Sequence, residues 1–237
     1  MIAPAIKPVT EKVPPLSNGD QLDAAEFCRR WNAMPNLRHA ELIGGQVYMN
    51  PPVSAGSHGL PHGQILLWLG YYAAMTEGVE QISESSVHFG PQDLPQPDAI
   101  LRIKDQFGGT SRLVDSELHG APELVAEVAA SSASYDLFQK KQRYQENGVL
   151  EYLVWVVHER RFVWFALEST RYVQLTQARN GIIKSQLFPG LWLDTNGMLG
   201  HDQQKVLATA NRGMQSPEYI EFAKKLKSQG RKKRKSS

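Results

Sequence analysis

The chain alternates short apolar runs with glycine-marked turns. From Gln21 to Asn32, Leu22, Ala25, Phe27 and Trp31 recur near helical spacing and predict a short helix. In HAELIGGQVYMNPP, Gly44-Gly45 separates two alternating runs, the pattern of a β-hairpin. His58 to Thr76 places Ile65, Leu66, Leu69, Tyr72 and Ala73 on one face, which predicts an amphipathic helix. EQISESSVHFG, PDAILRI and PELVAEVAA predict strands, with a polar loop from Lys104 to Gly120 between the last two. Tyr135 to Asn147 follows as a helix closed by Gly148. EYLVWVV is apolar almost throughout and suits a buried central strand. RRFVWFALES, RYVQLTQ and GIIKSQLFPG then read as short antiparallel strands, and Ser216-Pro217-Glu218 opens a final helix. The sum is one mixed α/β domain over residues 21–227. A proline-rich, disordered segment (1–20) precedes it and a disordered basic tail (228–237) follows.

Composition changes this picture at two points. Of 26 Lys and Arg, 8 lie in residues 224–237 with no acid among them, so the remaining 18 bases face 24 acids, a balance of −6. The basic end could touch nucleic acid by counterion release, or be a solvated terminus; the acidic body does not resemble a general DNA-binding surface. Cys28 stands alone, which excludes an internal disulfide framework and fits a reducing compartment. The opening MIAPAIKPVTEKVPPL lacks a basic segment followed by an apolar one, and the apolar run from Ile65 to Met75 is too short to cross a bilayer. A cytoplasmic protein without a membrane segment is expected.

One residue contradicts its surroundings. Glu127 sits in the middle of the apolar PELVAEVAA strand, where a charge costs several kcal/mol unless it is paired or binds a metal. Strand alternation puts Asp98, Ile100 and Arg102 on one face of PDAILRI, and Val125, Glu127 and Ala129 on one face of PELVAEVAA. If the strands pair, Asp98 and Glu127 meet. In the following helix Leu137, Lys140 and Tyr144 share a face, which turns Lys140 back over the sheet. Two carboxylates and a lysine suit phosphodiester hydrolysis, in which the carboxylates hold Mg²⁺ and the ammonium supports charge at phosphorus. Spacing alone favours the plainer reading of a turn cap at Asp98, an ion pair at Glu127 and a solvated lysine, because ion pairs are common and metal sites rare. His58 and His62, one turn apart, could ligate Zn²⁺, but no third ligand of suitable spacing accompanies them; helix-entry packing or a phosphate contact explains them as well. Tyr144 reads as core packing, with its hydroxyl near Lys140 as a second role.

In the order AELIGGQVYM, the His58…His62 helix start, QPDAILRI, the Gly-Gly loop, PELVAEVAASSASYDLFQKKQRYQENGVLEYLVW, FPGLWLD and SPEYIEFAKKL, the chain resembles the Uma-two family, within the PD-(D/E)xK nuclease superfamily. The resemblance runs from about Leu22 to Leu226. It implies a restriction-endonuclease-like fold, a mixed central sheet flanked by helices, and a DNA endonuclease using Mg²⁺, with Mn²⁺ able to substitute. Asp98 matches the motif's Asp and Glu127 its second acid. Ala129 stands where the usual lysine would be, so the lysine is carried over to the following helix as Lys140, with Lys141 as a neighbouring competitor. Glu41 matches an acidic position and is either a third metal ligand or a hairpin charge. A homodimer is compatible with the resemblance. The rival reading is a catalytically silent nuclease-fold module for nucleic-acid binding or assembly.

Overall fold

A computed structural model describes residues 12–49 and 54–234, the last four by backbone only. Helix α1 (Ala24–Asn32) is followed by β1 (Glu41–Ile43) and β2 (Gln46–Tyr48), then a π turn (Ala55–Gly59) leading into α2 (Leu60–Met75). Strands β3 (Val79–Ser83), β4 (Val87–His88), β5 (Ala99–Ile103), β6 (Arg112–Val114), β7 (Glu117–His119) and β8 (Leu124–Ala129) come next. Helix α3 (Ala133–Tyr135) passes through a π turn (Asp136–Lys140) into α4 (Lys141–Glu146). The chain continues with β9 (Glu151–Val156), β10 (Arg161–Glu168), β11 (Arg171–Gln174), β12 (Ile182–Lys184) and β13 (Trp192–Asp194). It closes with α5 (Thr195–Leu199), α6 (Gln203–Gly213) and α7 (Pro217–Arg234).

The central sheet has six strands in the order β11-β10-β9-β8-β5-β3. All neighbours are antiparallel except β8 and β9, which the α3–α4 segment joins as a parallel pair. This is the mixed α/β architecture expected from the sequence.

Alternation sorts side chains onto two covered faces. On one face Leu101, Leu124, Ala126, Leu153, Trp155 and Trp164 pack with Ile65, Trp68, Leu69 and Tyr72 of α2 and with residues of β13, α6 and α7. On the other, Val125, Ala129, Tyr152, Val154 and Phe165 pack against Tyr144 and Val149. A third cluster, with Phe27, Leu42, Val47 and Leu94, fixes the β1–β2 hairpin, whose turn residues Gly44 (φ 60) and Gly45 (φ 79) adopt the left-handed conformation that a tight hairpin requires.

The structure departs from the sequence reading in four places. The expected polar loop from Lys104 to Gly120 contains the β6–β7 hairpin; its turn uses Asp115 (φ 49) and Ser116 (φ 71), so no glycine marked it. Helices α5 and α6 lie where the sequence reading assigned no element before the final helix, α7. Within the leader, Leu16 is buried and the Gly19 amide donates to the Val47 carbonyl at 2.8 Å, so residues 16–20 belong to the fold; residues 1–11 lie outside the described residues. Likewise α7 continues to Arg234, so the boundary at 228 falls inside a helix; residues 235–237 lie outside the described residues. Gly230 of that helix lies so close to Phe107 that a Cβ there would collide with the ring.

Two predictions follow from this packing. Deleting residues 228–237 uncovers Phe107 and should lower the melting temperature, by roughly 2–4 °C for each kcal/mol lost; an unchanged melting temperature would show that the helix end is undocked. Glu151 on β9 is 1 % exposed and accepts from Ser185 Oγ (2.8 Å) and the amides of Gln186 (2.7 Å) and Leu187 (2.9 Å). Burial, which outweighs these hydrogen bonds, pushes its carboxyl from 4.5 up to about 7. The folded state therefore holds this proton more tightly than the unfolded chain, and its contribution to stability falls as pH rises from 4.5 to about 7. Denaturant midpoints of wild type and Glu151→Gln, measured from pH 4.5 to 8, should shift in favour of Gln across that window and then run parallel.

Candidate functional site

Strands β5 and β8 bring the two acids together. Ala99 pairs with Ala126 and Ile100 with Val125, and continuing that register sets Asp98 opposite Glu127 on the same face. The Asp98 amide donates to Glu127 Oε2 at 3.3 Å, and Asp98 Oδ2 accepts from the Val128 amide at 2.7 Å. The face is the one covered by the α3–α4 segment.

That segment delivers the cation. Lys140 ends the Asp136–Lys140 π turn, and its Nζ lies 2.8 Å from Glu41 Oε1, 3.0 Å from Glu127 Oε1 and 3.9 Å from Asp136 Oδ1. It also faces the Tyr135 ring, 5.6 Å from the centroid. Lys141 points elsewhere, with its ammonium 4.2 Å from the Phe165 ring centroid, so of the two candidate lysines the fold brings Lys140 to the acids. Tyr144 joins them directly: its hydroxyl donates to Glu127 Oε1 at 2.8 Å, the same oxygen that Lys140 binds.

The hairpin supplies Glu41. Leu42 exchanges backbone hydrogen bonds with Leu94, and the Gln96 amide donates to Glu41 Oε1 at 2.8 Å. Arg143 of α4 grips Asp93, which in turn accepts from the Gly44 amide at 2.8 Å. Glu41 therefore reaches the site as the partner of Lys140, with one oxygen committed to that ammonium and the other, Oε2, buried with no hydrogen-bond partner among the described residues.

The histidines separate in role. His58 Nε2 lies 3.2 Å from Asp98 Oδ1, and that hydrogen bond raises the imidazole's pKa despite burial. The same contact helps keep the Asp98 carboxyl below its ordinary value against the opposing effect of burial. His62 Nε2 instead contacts the Asp98 carbonyl at 2.8 Å, which fixes the loop and leaves the two rings as separate contacts rather than as a zinc pair.

Sequence reasoning missed Asp136. It is buried, takes a hydrogen bond from Ser132 Oγ at 2.5 Å, and stands four residues before Lys140, a spacing that was the available signal.

The charges do not balance within the protein. Glu41, Glu127, Asp98 and Asp136 surround one lysine and one histidine. Burial drives the Glu127 carboxyl well above its ordinary range, with Asp98, Asp136 and Glu41 adding to the shift and Lys140 opposing it. Burial alone would weaken the Lys140 ammonium, but Glu127, Glu41 and Asp136 outweigh it and keep the lysine charged. An all-oxygen donor set, an excess of carboxylate and the orphaned Glu41 Oε2 fit a hard divalent cation. Asp98, Glu127, Asp136, Lys140 and His58 all border a cleft.

The comparisons with known proteins agree with this architecture. Residues 24–196 match the model of the Uma2 family, described as "Putative restriction endonuclease". The chain belongs to this family. Its fold is similar to a crystal structure of "a putative nuclease belonging to DUF820" from Anabaena variabilis, with TM-score 0.58 and 13 % identity over 73 % of this chain and 96 % of the other. No curated protein matches the chain.

The Lys140–Glu127 ion pair makes opposite predictions for its two members. Lys140→Met leaves buried carboxylates without their cation and should cost about 3–5 kcal/mol. Glu127→Gln removes a charge that burial disfavours and leaves Lys140 paired with Glu41, so without added metal it should be as stable as wild type or slightly more stable. Urea denaturation at pH 7 measures both; a large loss for Glu127→Gln would make that carboxylate a structural counter-ion.

Proposed function

We propose that the protein is a metal-dependent DNA endonuclease in which Asp98 and Glu127 hold Mg²⁺, for which Mn²⁺ can substitute. The observation that supports this most is the buried Lys140 ammonium bound to Glu127, directly beside Asp98 at the wall of an open cleft. When bound, the cation supplies neutralisation of phosphate charge and a more acidic water. The protein's own groups do the rest. Lys140, held protonated by its acidic neighbours, directs positive charge toward the oxyanion that develops at phosphorus. His58 and the Val128 amide orient the Asp98 carboxylate, and Tyr144 with Lys140 fixes Glu127 Oε1. Arg38 is exposed on the cleft and offers a guanidinium to the phosphate backbone, with the exposed His39 and His158 as further hydrogen-bonding groups, on a body whose overall charge is acidic.

Incubating the full-length protein with plasmid DNA tests this reading. Cleavage should require MgCl₂ or MnCl₂, stop with EDTA, and fall by roughly 10²-fold or more in Asp98→Asn, Glu127→Gln and Lys140→Ala. Cleavage that survives EDTA or all three substitutions would overturn the assignment. DNA binding with no cleavage by wild type under any of these conditions would instead favour the silent nuclease-fold module.

A further inference from the structure

A second cluster of ligand-type side chains lies away from the acidic site, in the three-stranded sheet β4-β7-β6. Strands β4 and β7 run parallel with His88 directly opposite His119, so both imidazoles leave the same face. Glu117 precedes His119 by two residues on β7 and shares that face by strand alternation. The rings stack with centroids 4.4 Å apart and planes inclined by 10°. His88 Nε2 lies 2.8 Å from Glu117 Oε2, and one ligand atom from each of the three residues falls within 4.8 Å of the others. Among the described residues no other trio of His, Cys, Asp or Glu meets that condition.

We infer that His88, Glu117 and His119 form a binding site for a divalent transition ion of the zinc type. Two imidazoles and one carboxylate are the donors that Zn²⁺ takes at about 2.0–2.2 Å, and that Mg²⁺ and Ca²⁺, which favour oxygen, do not. A tetrahedral ion with such bonds keeps its ligand atoms roughly 3.3 Å apart, between the separations of 2.8 and 4.8 Å that bracket the cluster. Side-chain adjustment from these separations would close the site around an ion. The backbone is already fixed, because the Gly120 amide donates to the His88 carbonyl at 3.0 Å. Arg112, the cross-strand neighbour of His119, is exposed and free to extend into water. The fourth coordination position would face the hollow that His88 and Glu117 line together with Cys28, Trp31 and Met34.

The site also has a mechanical use. Strand β4 has two residues, and its pairing with β7 is the ladder that joins the β6–β7 hairpin to it. An ion held by one residue of β4 and two of β7 would clamp that junction, and ligand linkage would add stability with rising ion concentration.

The test uses the full-length protein, purified with chelator, and ZnCl₂ or CoCl₂ as the probe. Wild type and Glu127→Gln should each bind one Zn²⁺ with the same rise in melting temperature, and Co²⁺ should give the visible absorption of a tetrahedral site. His119→Ala and, independently, the exposed Glu117→Ala should weaken Zn²⁺ binding by at least about tenfold and remove the thermal shift. Two substitutions on separate side chains keep the test valid should one of them misfold. Unchanged zinc stoichiometry in both variants, or loss of zinc binding in Glu127→Gln alone, would overturn the inference and assign the zinc elsewhere. None of these readouts involves DNA, so the outcome is separate from that of the nuclease assay.

Discussion

A single ammonium holds the site together. Lys140 is buried, and its nearest partners come from three parts of the chain: Glu41 from the hairpin, Glu127 from β8 and Asp136 from its own helical turn. Removing a cation and its partners from water is costly, and the attraction offsets that cost only when the geometry is tight. The surrounding structure supplies such geometry. Hydrophobic packing of Leu42 and Leu94 presses the hairpin inward, Tyr144 shares the Glu127 oxygen, and the parallel β8–β9 pair sets the span of the helix that carries the lysine. Even so the acids outnumber the cations: Glu41, Glu127, Asp98 and Asp136 stand around one lysine and one histidine.

Two buried glutamates on adjacent strands show the difference between these uses. Glu151 pairs across from Leu124, on the opposite face from Glu127. It is satisfied by a hydroxyl and two backbone amides of the 185–187 loop, makes no ion pair among the described residues, and its surroundings are closed by Trp164 and the main core. Glu127 has a charged donor, three acidic neighbours and a cleft beside it. The same residue type in the same sheet is thus a structural fastening on one side and a cleft-lining member of a charged cluster on the other.

Much of this was legible in the sequence because it depends on short-range periodicity. Alternation in PDAILRI and PELVAEVAA placed Asp98 and Glu127 on one face, the Gly44-Gly45 pair marked the hairpin, and the interior position of Glu127 called for a compensating charge. What escaped depends on longer-range or non-standard geometry. The π turn at Asp136–Lys140 inserts backbone that helical spacing cannot foretell, so Lys140 and Lys141 could not be separated, and Asp136 went unnoticed beside them. The β6–β7 turn was hidden because Asp115 and Ser116 adopt conformations usually signalled by glycine. Helix α6 had its signal in Asp202, whose side chain caps the Lys205 amide, but the segment lacks a continuous apolar stripe to announce it. The pairing of Glu41 with Lys140, across 99 positions of chain, is set by tertiary packing alone.

The hairpin and the lysine-bearing helix are fastened twice within one helical turn: Lys140 to Glu41, and Arg143 to Asp93 beneath the Gly44 turn. A flap pinned at one point can swing; a flap pinned at two points along the same axis resists both twist and lift. This wall of the cleft therefore behaves as a rigid jaw. Ser54, Ser57 and Ser131 line the same cleft with small hydroxyl side chains. A wall held in this way keeps Lys140 and the acids it binds at one fixed spacing.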